Sequence, residues 1–343
     1  MRDSLTKRRV SEDELARLVL RAFGPGAGVS AWRELSGGTY NAAYAVTLGG
    51  GRLGGRREVV LKVAPPPDLK LLSHEVDLMR TEVDFYRRAA TVGVPVPEVL
   101  FAGFERDLIG TDFVFLSLVP GTDLHSLAGG RPPAEFAAVR GQVAGLTARL
   151  HSITGSGYGY PLRGSRTWQP TWRGAFGAMV DDLVADAERL APAKPLPAAP
   201  AWIGALMRRH ADVLDDVTRP ALVHFDLWDG NVFVAPDDTA APAGWRVTGF
   251  IDGERAFYGD PAAELVSLAL FREPEPELLS GYSAGGGAPI ALTGSVARRL
   301  DLYRTYLYLI MAIEGATRGW HDEERVRFET WLAARIDAQL ALL

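Results

Sequence analysis

The chain of 343 residues contains no cysteine, so disulfide bridges, thiolate nucleophiles and cysteine metal sites are excluded. It also lacks any apolar run of the ~18 residues that a membrane-spanning helix needs. The N-terminal residues 1–10 are basic, but Glu12, Asp13 and Glu14 follow them where a signal peptide would have an apolar core. From these absences we expect a cytoplasmic protein without a membrane partner.

The sequence also lacks a large excess of either charge sign, since the formal net charge is only −5. This balance offers no basic surface for nucleic acid, and the slight acidic excess mildly favours cationic substrates. Hydrophobic residues make up 47% of the chain and charged residues 23%, which is a globular composition with room for one large or two modest domains. A monomer and a homodimer both agree with these features.

A polar loop lies between two short apolar runs around residues 222–234. The loop carries His224, Asp226 and Asn231 in the order H-x-D-x-x-x-x-N, and a later apolar run ends on Asp252. Phosphoryl transfer needs a carboxylate at the acceptor hydroxyl, and an Asn and an Asp that hold magnesium against nucleotide phosphates. The kinase signature has the same Asp-to-Asn spacing. The pattern therefore favours phosphoryl transfer over a plain polar turn between core strands.

On these four residues the chain resembles the aminoglycoside phosphotransferase and choline kinase-like family of small-molecule kinases. The Asp-Leu-Trp and Gly-Asn portions of the loop also look like those of fructosamine kinases, and the resemblance spans about residues 29–310. It implies an α+β, two-lobed protein-kinase-like fold. Residues 1–118 would form a strand-rich nucleotide-binding lobe, and residues 119–343 a mainly helical catalytic and acceptor-binding lobe.

The predicted elements follow the order that this fold requires. Ser11 and Glu14 form a capping-box pattern that begins a leading helix over 11–23. Strands are expected on both sides of a glycine turn between 29 and 48, and again over 57–63 and 113–119. Apolar residues at helical spacing predict the remaining helices, which cover 73–90, 136–151, 173–190, 201–217, 294–318 and 322–342.

The glycine turn is the first element to which the resemblance assigns nucleotide binding. Gly37, Gly38, Thr39 and Asn41 lie in this turn, where backbone amides can approach a phosphate without an intervening side chain. A plain hairpin is the alternative. A second glycine pattern, G-x-G-x-x-G over 49–55, precedes a strand instead of the helix that a dinucleotide site requires, so we reject it.

Other nucleotide contacts follow from the same resemblance. Lys62 on a predicted strand would contact the phosphates, and Glu82 on the next helix would pair with it, with Glu75 as the competing partner. Ser117 and Leu118 would belong to a hinge that binds the purine through its backbone, which leaves ATP and GTP equally possible. The alternatives are a solvent-facing lysine, an exposed helix charge and an ordinary strand end.

The resemblance places much of the acceptor pocket near the catalytic loop and in the region inserted before it. Aromatic rings can stack on a sugar or base, and carboxylates can bind amines. The candidate acceptor contacts are Trp168, Trp172, Trp228, Asp229 and Glu254. The competing interpretation is that the rings belong to the core and the acids to a solvated face; Glu254 could also support the metal site.

The reaction implied by the resemblance is phosphorylation of a small hydroxylated molecule by ATP or GTP with Mg²⁺. Asp226 would orient or deprotonate the hydroxyl, His224 would brace the loop, and Asn231 and Asp252 would hold the magnesium. An aminoglycoside-type antibiotic is the first expectation for the acceptor, and its phosphorylation would confer resistance. A nucleoside-type antibiotic or another sugar-containing metabolite is the alternative.

Two functions of other classes remain open at this point. Ser283 lies in a G-x-S-x-G pattern typical of serine hydrolases, but the following glycines predict a loop where the nucleophile elbow needs a helix. A pseudokinase would bind nucleotide without turnover. The presence of Lys62, Asp226 and Asp252 together argues against that second possibility.

Overall fold

The computed structural model of the protein describes residues 4–35, 38–50, 58–131, 133–162, 164–190, 192–237 and 244–343. The predicted phosphate-loop residue Gly37 lies outside these residues. The chain divides into two compact units. The first comprises Met1–Leu71, Pro97–Leu118 and Gly315–His321; the second comprises Leu72–Val96, Val119–Glu314 and Asp322–Leu343.

The first unit combines a helix with an antiparallel sheet in the strand order β1-β2-β3-β5-β4. Its elements are α1 (Glu12–Phe23), β1 (Gly28–Glu34), β2 (Ala42–Gly49), β3 (Glu58–Val63), β4 (Val99–Gly103) and β5 (Phe113–Ser117). The predicted capping box is confirmed, because the Ser11 hydroxyl accepts the Glu14 N–H and the Glu14 carboxylate accepts the Ser11 N–H. Apolar residues of α1 pack on the sheet to form the core of this unit.

The segment before α1 contacts the turn between β1 and β2. Thr6 is fully buried, and its hydroxyl donates to the carbonyl of Thr39 at 3.2 Å. Leu5 donates its N–H to the carbonyl of Arg318 at 3.1 Å, and the Arg318 guanidinium lies 4.8 Å from the centre of the Tyr40 ring. The turn is therefore held by residues from both ends of the chain.

The second unit is mainly helical, with two small sheets of strand order β6-β8-β9 and β7-β10. Its strands are β6 (Thr122–Asp123), β7 (Ala221–Val223), β8 (Val232–Asp237), β9 (Gly244–Phe250) and β10 (Phe257–Gly259). Its helices are α2 (Leu78–Thr91), α3 (Leu124–Ala128), α4 (Ala137–Leu150), α5 (Trp172–Arg189), α6 (Pro200–Arg209), α7 (Leu265–Leu268), α8 (Pro276–Ala284), α9 (Gly294–Arg318, whose last turn belongs to the first unit) and α10 (Glu323–Leu340). Within the described ranges, no helix has the length and apolarity needed to span a membrane.

An aromatic cluster forms the core beneath the end of β7. The Trp172 ring stacks on Phe257 with 5.4 Å between ring centres, and its Nε1–H donates to the Tyr303 hydroxyl at 2.7 Å. Phe225, which follows β7 after one residue, packs on Phe257 at 4.9 Å. Stacked and tilted rings at these distances give a stiff support for the loop that β7 enters.

The helix predicted over 73–90 begins later than its apolar pattern suggested. Asp77 adopts a left-handed conformation with φ 52°, so α2 starts at Leu78, and residues 73–75 form a separate 3₁₀ turn. Val76, which helical spacing placed on the core-facing stripe, is 55% exposed as a result. Similarly, the helix predicted over 201–217 ends at Arg209 and is followed by a 3₁₀ turn.

The loop predicted after Ser283 is confirmed, because α8 ends at Ala284 and residues 285–290 form no helix, while Ser283 itself lies in the last turn of α8. The glycines there serve close packing. A Cβ atom on Gly281 would lie 2.5 Å from the carbonyl oxygen of Gly141 on α4, and one on Gly285 would lie 2.5 Å from that of Gly145. Glycine lowers helix propensity by about 1 kcal/mol, but here it allows two helix backbones to touch.

Candidate active site

A buried carboxylate fixes the backbone at the start of the catalytic-type loop. Phe225 has a positive φ of 61°, which is unusual for a bulky residue. Glu264 accepts the N–H groups of His224 at 2.7 Å and Phe225 at 2.9 Å, and the Ser267 hydroxyl donates to the same carboxylate at 2.9 Å. These bonds to a charged acceptor compensate the strained backbone.

His224 connects the loop to the segment that follows β9. Its Nε2–H donates to the carbonyl of Ile251 at 2.9 Å, and its Nδ1 accepts the N–H of Asp226 at 3.3 Å. Burial lowers the pKa of His224, although the nearby Glu264 carboxylate opposes this effect. The ring is therefore neutral with its proton on Nε2, a state that braces the loop and has no proton to release toward a substrate.

Hydrogen bonds bring together the three polar residues that the sequence singled out. The Nδ2 of Asn231 donates to the carbonyl of Asp226 at 2.8 Å. The N–H of Ile251 donates to the carbonyl of Asn231 at 3.0 Å, and Asp252 is the next residue. Asp252 has a left-handed backbone with φ 57°, which turns the chain away from β9. The loop after β7 and the end of β9 thus form one cluster.

The carboxyl group of Asp226 titrates near neutral pH. Burial is the main cause and raises its pKa to about 7; the Arg255 guanidinium opposes this, and the neighbouring Asp252 carboxylate reinforces it. Arg255 is held by a 2.8 Å hydrogen bond to Glu314. A carboxylate with a pKa near the working pH is well suited to share a proton with an acceptor hydroxyl.

The donor set of Asn231 and Asp252 fits a hard divalent cation. The Nδ2 of Asn231 is bound to the Asp226 carbonyl, so its amide oxygen is the atom that could bind a metal. Asp252 supplies a carboxylate. Mg²⁺ prefers oxygen ligands and takes few of them from protein, with waters and phosphates completing its shell.

The predicted nucleotide-contacting charges are both buried. Lys62 is 7% exposed on the central strand β3, where it pairs with Ala43 and Val114, so it is not the solvent-facing lysine of the alternative interpretation. Glu82 on α2 is fully buried and accepts the Tyr86 hydroxyl at 2.6 Å. Since Lys62 lies in the first unit and Glu82 in the second, their pairing stays a prediction.

The competing glutamate also has a defined structural position. Glu75 is 1% exposed, and its carboxylate accepts the N–H of Leu72 at 3.0 Å, which closes the 3₁₀ turn before α2. Its charge also acts on Arg255, whose pKa is raised although burial opposes the charged form. This placement associates Glu75 with Arg255 inside the second unit.

The glycine turn and the hinge lie in the first unit. A Cβ atom on Gly38 would lie 3.4 Å from the carbonyl of Asn41, a buried residue, and Thr39 accepts the Thr6 hydroxyl as described above. At the end of β5, the Ser117 hydroxyl accepts the N–H of Glu98 at 2.9 Å, and Leu118 is 44% exposed. Nucleotide binding by these residues stays a prediction.

Two predicted acceptor contacts have structural partners instead. Asp229 forms a two-point ion pair with the buried Arg140, with N–O distances of 3.0 and 2.8 Å. Trp172 is 1% exposed within the aromatic cluster. Their environments argue against the substrate contacts predicted for them, because a bidentate buried ion pair and a core ring both have their interaction surface occupied.

The other three candidate acceptor contacts keep partly accessible or charged surroundings. Trp228 is half-buried and packs against His125 with 5.2 Å between ring centres. Trp168 is half-buried with its ring edge-on to Tyr258 at 5.7 Å. Glu254 is 9% exposed and acts electrostatically on Arg255, so it is not a solvent-exposed charge.

The three aspartates of α5 are each engaged by an arginine. These ion pairs have N–O distances of 2.5 to 2.6 Å: Asp181 with Arg208, Asp182 with Arg166, and Asp186 with Arg189. Each arginine neutralises a charge that a cationic ligand would otherwise meet.

Sequence reasoning missed three residues of this site. Glu264 lies three residues after an Asp-Pro helix start, a spacing that could have drawn attention to it. Arg255 directly follows the Ile-Asp-Gly-Glu stretch. The position of Tyr86 among apolar residues at helical spacing predicted only core packing, but its hydroxyl bonds both Glu82 and the backbone of Asp252.

The serine hydrolase interpretation has no support in the geometry. Ser283 lies inside α8, is exposed, and donates to the carbonyl of Leu279 within the same helix at 3.3 Å. The imidazole of His151 bonds the neighbouring Tyr282 hydroxyl at 2.9 Å. A nucleophile elbow requires a strand-to-helix turn, which is missing from this described stretch.

Comparison with known proteins begins with a family match. The sequence model of the Phosphotransferase enzyme family matches residues 31–303. Acyl-CoA dehydrogenase family member 11 of Rattus norvegicus is 28% identical over 227 residues, which are 63% of this chain and 26% of that protein. The chain thus spans about a quarter of the length of these relatives. A probable ketoamine kinase of Escherichia coli O157:H7 is 24% identical over 304 residues, covering 86% of this chain and 90% of that protein.

Solved structures share the fold at low sequence identity. A provisional fructosamine-3-kinase from Haemophilus somnus 129PT gives a TM-score of 0.63 at 16% identity, covering 94% of this chain and 96% of that one. The gentamicin–APH(2″)-IIa complex gives 0.58 at 16% identity, covering 97% and 99%. The kinase-like α+β fold predicted from the sequence is confirmed.

Proposed function

Because the chain belongs to the phosphotransferase enzyme family, we propose that it transfers the terminal phosphate of ATP to a hydroxyl group of a small molecule. The observation that carries this proposal is the hydrogen-bonded cluster that joins Asp226, Asn231 and Asp252. It supplies a carboxylate of near-neutral pKa beside two oxygen ligands for a cation. Positioning and charge neutralisation, which dominate phosphoryl transfer, need little else from the protein.

Asp226 acts on the acceptor. Its carboxylate orients the hydroxyl and takes up its proton as the bond to phosphorus forms, and Arg255 keeps enough of the group ionised at neutral pH. The neutral His224 holds the loop in place and does not exchange protons with substrate. Glu264 fixes the same loop by accepting the N–H of His224.

The remaining predicted residues are assigned to the cation and the nucleotide. The amide oxygen of Asn231 and the carboxylate of Asp252 would hold Mg²⁺, which would neutralise charge on the nucleotide phosphates. Lys62, positioned by Glu82, contacts those phosphates, and the turn residues Gly38, Thr39 and Asn41 cover them, as does Gly37. Ser117 and Leu118 carry the hinge. GTP in place of ATP is the alternative that this arrangement leaves open.

The acceptor proposed here is hydroxylated and not polycationic. Aminoglycoside antibiotics, the first expectation from sequence and the basis for a resistance role, carry several ammonium groups that need carboxylate partners. The three aspartates of α5 and Asp229 are already paired with arginines, which reduces the negative charge that these groups offer to an ammonium group. A sugar-derived ketoamine, the substrate class named for the Escherichia coli relative, needs fewer carboxylate partners than an aminoglycoside does.

A second candidate acceptor is a hydroxyl group on an acyl thioester. The specific observation behind it is the match to relatives of which the matched region covers about a quarter, and whose name refers to acyl-CoA dehydrogenases. A phosphotransferase region carried within such a chain would act most usefully on the same class of compound. Its acceptor would be anionic, which agrees better with paired carboxylates than an aminoglycoside does.

The test is a coupled assay of nucleoside diphosphate release with Mg²⁺. ATP and GTP are each combined with ketoamines, hydroxyacyl-CoA thioesters, nucleosides and aminoglycosides, with Asp226→Ala as the inactive control. Acceptor-dependent release that disappears in Asp226→Ala supports the proposal. Nucleotide binding without release for any acceptor class would favour the pseudokinase alternative and overturn it.

A further inference from the structure

We propose that Tyr86 is a positioning residue that links the Glu82 carboxylate to the backbone of Asp252 and so sets the placement of the metal-binding carboxylate. The inference rests on the proposed function, since it concerns the residue assigned to Mg²⁺. It adds a connection between Glu82 on α2 and the loop that follows β9, both of which lie in the second unit.

The hydroxyl of Tyr86 uses its donor and an acceptor lone pair in this link. The N–H of Asp252 can only donate, and it points to the hydroxyl oxygen at 3.0 Å. The hydroxyl hydrogen is therefore directed to Glu82 Oε1, at 2.6 Å. Tyr86 is 2% exposed, and burial beside both carboxylates raises its pKa well above the ordinary value, so the hydroxyl keeps its proton.

Asp252 needs such support because its backbone is left-handed. A residue with a side chain at φ 57° is strained and keeps this conformation only where its surroundings hold it there. The preceding residue, Ile251, is held at its N–H by the Asn231 carbonyl and at its carbonyl by the His224 ring. Tyr86 holds the next N–H in the chain, which is that of the strained residue.

Helix α2 is a rigid place from which to hold this loop. The Phe85 ring packs edge-on against His224 at 5.0 Å, and a Cβ atom on Gly253 would lie 2.2 Å from the same ring. The helix therefore abuts both sides of the cluster through apolar contact. This packing does not depend on the Tyr86 hydroxyl, so a Tyr86→Phe variant should keep the fold.

Loss of the hydroxyl would release the Asp252 N–H from its bond with α2. Groups that orient a metal ligand from behind typically change metal affinity or activity ten- to a hundred-fold when they are removed. We expect Tyr86→Phe to weaken Mn²⁺ binding in the presence of ADP by roughly ten-fold and to lower kcat by a similar factor, with little change in the acceptor KM.

The test measures Mn²⁺ affinity by electron paramagnetic resonance in the wild type, Tyr86→Phe and a matched control, Tyr158→Phe. Tyr158 is also buried, and its hydroxyl donates to the Val217 carbonyl at 3.2 Å, outside the cluster. The inference is supported if only Tyr86→Phe loses affinity. It is overturned if Tyr86→Phe and Tyr158→Phe bind Mn²⁺ equally well.

Failure of the proposed function would look different, because the wild type itself would then show no nucleotide-dependent Mn²⁺ binding, and the inference would fall with it. Should Tyr86→Phe not fold, Glu82→Gln weakens the acceptor of the same hydroxyl and keeps the shape of α2. Hydrogen exchange of the peptide containing Asp252 should then become faster than in the wild type, and unchanged exchange there would overturn the inference.

Discussion

At the scale of single residues, Asp226 has a position that favours proton exchange and costs stability. Its pKa is raised from 3.8 to about 7, mainly by burial. Between these values the folded protein binds a proton that the unfolded chain releases. The stabilisation from the protonated carboxyl is therefore complete below the unfolded pKa and is lost as the pH rises through about 7.

Asp226→Asn should accordingly raise the free energy of unfolding at pH 8, by about 1–2 kcal/mol, while activity falls by at least ~10³-fold. The gain arises because a neutral amide avoids burying a charge, and it should shrink toward pH 4. Chemical denaturation at both pH values measures it. Glu323→Gln, at a side chain that is 95% exposed, serves as the control with no such gain. A variant less stable than the wild type at pH 8 would contradict this account.

The pH profile of kcat/KM provides a separate measurement on the same residue. Since the ionised carboxylate is the active form, kcat/KM should rise with pH and reach half its maximum near pH 7. Arg255→Ala removes a guanidinium that lowers the pKa of Asp226, so it should move the midpoint to higher pH. A midpoint that stays in place or moves down would show that Arg255 does not act on Asp226.

At the scale of elements, the crossing of α4 and α8 depends on the absence of side chains. Gly281→Ala would place a methyl group 2.5 Å from the carbonyl oxygen of Gly141. Because both atoms belong to packed helices, the helices must separate, and we expect a loss of about 1–3 kcal/mol in the free energy of unfolding. Urea denaturation monitored by circular dichroism measures this loss.

Gly177→Ala on α5 is the matched control, because a Cβ atom there would meet nothing within 4 Å. Without a clash, the higher helix propensity of alanine should stabilise the protein by about 0.5–1 kcal/mol. Changes of the same sign in Gly177→Ala and Gly281→Ala would mean that the close crossing is not the reason for glycine in α8.

The segment before α1 should influence nucleotide binding through the turn that it contacts. Thr6→Val removes the hydroxyl that donates to the Thr39 carbonyl and keeps the side-chain shape. We expect the KM for ATP to rise roughly three- to ten-fold with kcat nearly unchanged, since one hydrogen bond contributes about 1 kcal/mol. In the control Thr330→Val, the lost hydroxyl of an exposed residue bonds the Val326 carbonyl of α10, and the KM for ATP should not change.

Local signals in the sequence were sufficient for some of these elements. The capping box of α1, the lysine strand β3 and the spacing from Asp226 to Asn231 are all written within a few neighbouring residues, and the structure places them accordingly. The break at Asp77 was not visible, because a left-handed aspartate is selected by tertiary packing and not by any local pattern.

Other parts of the site depend on residues that are distant in the chain. Glu264 bonds Phe225 from 39 residues away, and Tyr86 bonds Asp252 from 166 residues away. Gly281 of α8 and Gly285 just after it approach Gly141 and Gly145 of α4, which lie much earlier in the chain. A single sequence contains no signal for such pairs.

At the scale of the whole molecule, we do not expect the net charge of −5 to give an acidic acceptor surface, since the three aspartates of α5 are paired with arginines. The KM for the acceptor should therefore change less than about two-fold between 50 and 300 mM NaCl, because screening acts on unbalanced charge. Initial-rate kinetics at both concentrations measures it. A KM that climbs steeply with salt would instead favour a polycationic acceptor.

The first unit is assembled from three separate stretches of sequence. Any division or recombination of this chain must therefore keep the three together. A fragment cut after Leu118 would omit Gly315–His321, and with it the Arg318 carbonyl that receives the Leu5 N–H and the guanidinium over Tyr40. In such a fragment, the turn between β1 and β2 and the segment before α1 would lose these contacts. Chimeras that exchange the first unit between relatives should therefore transplant Gly315–His321 together with Met1–Leu71 and Pro97–Leu118.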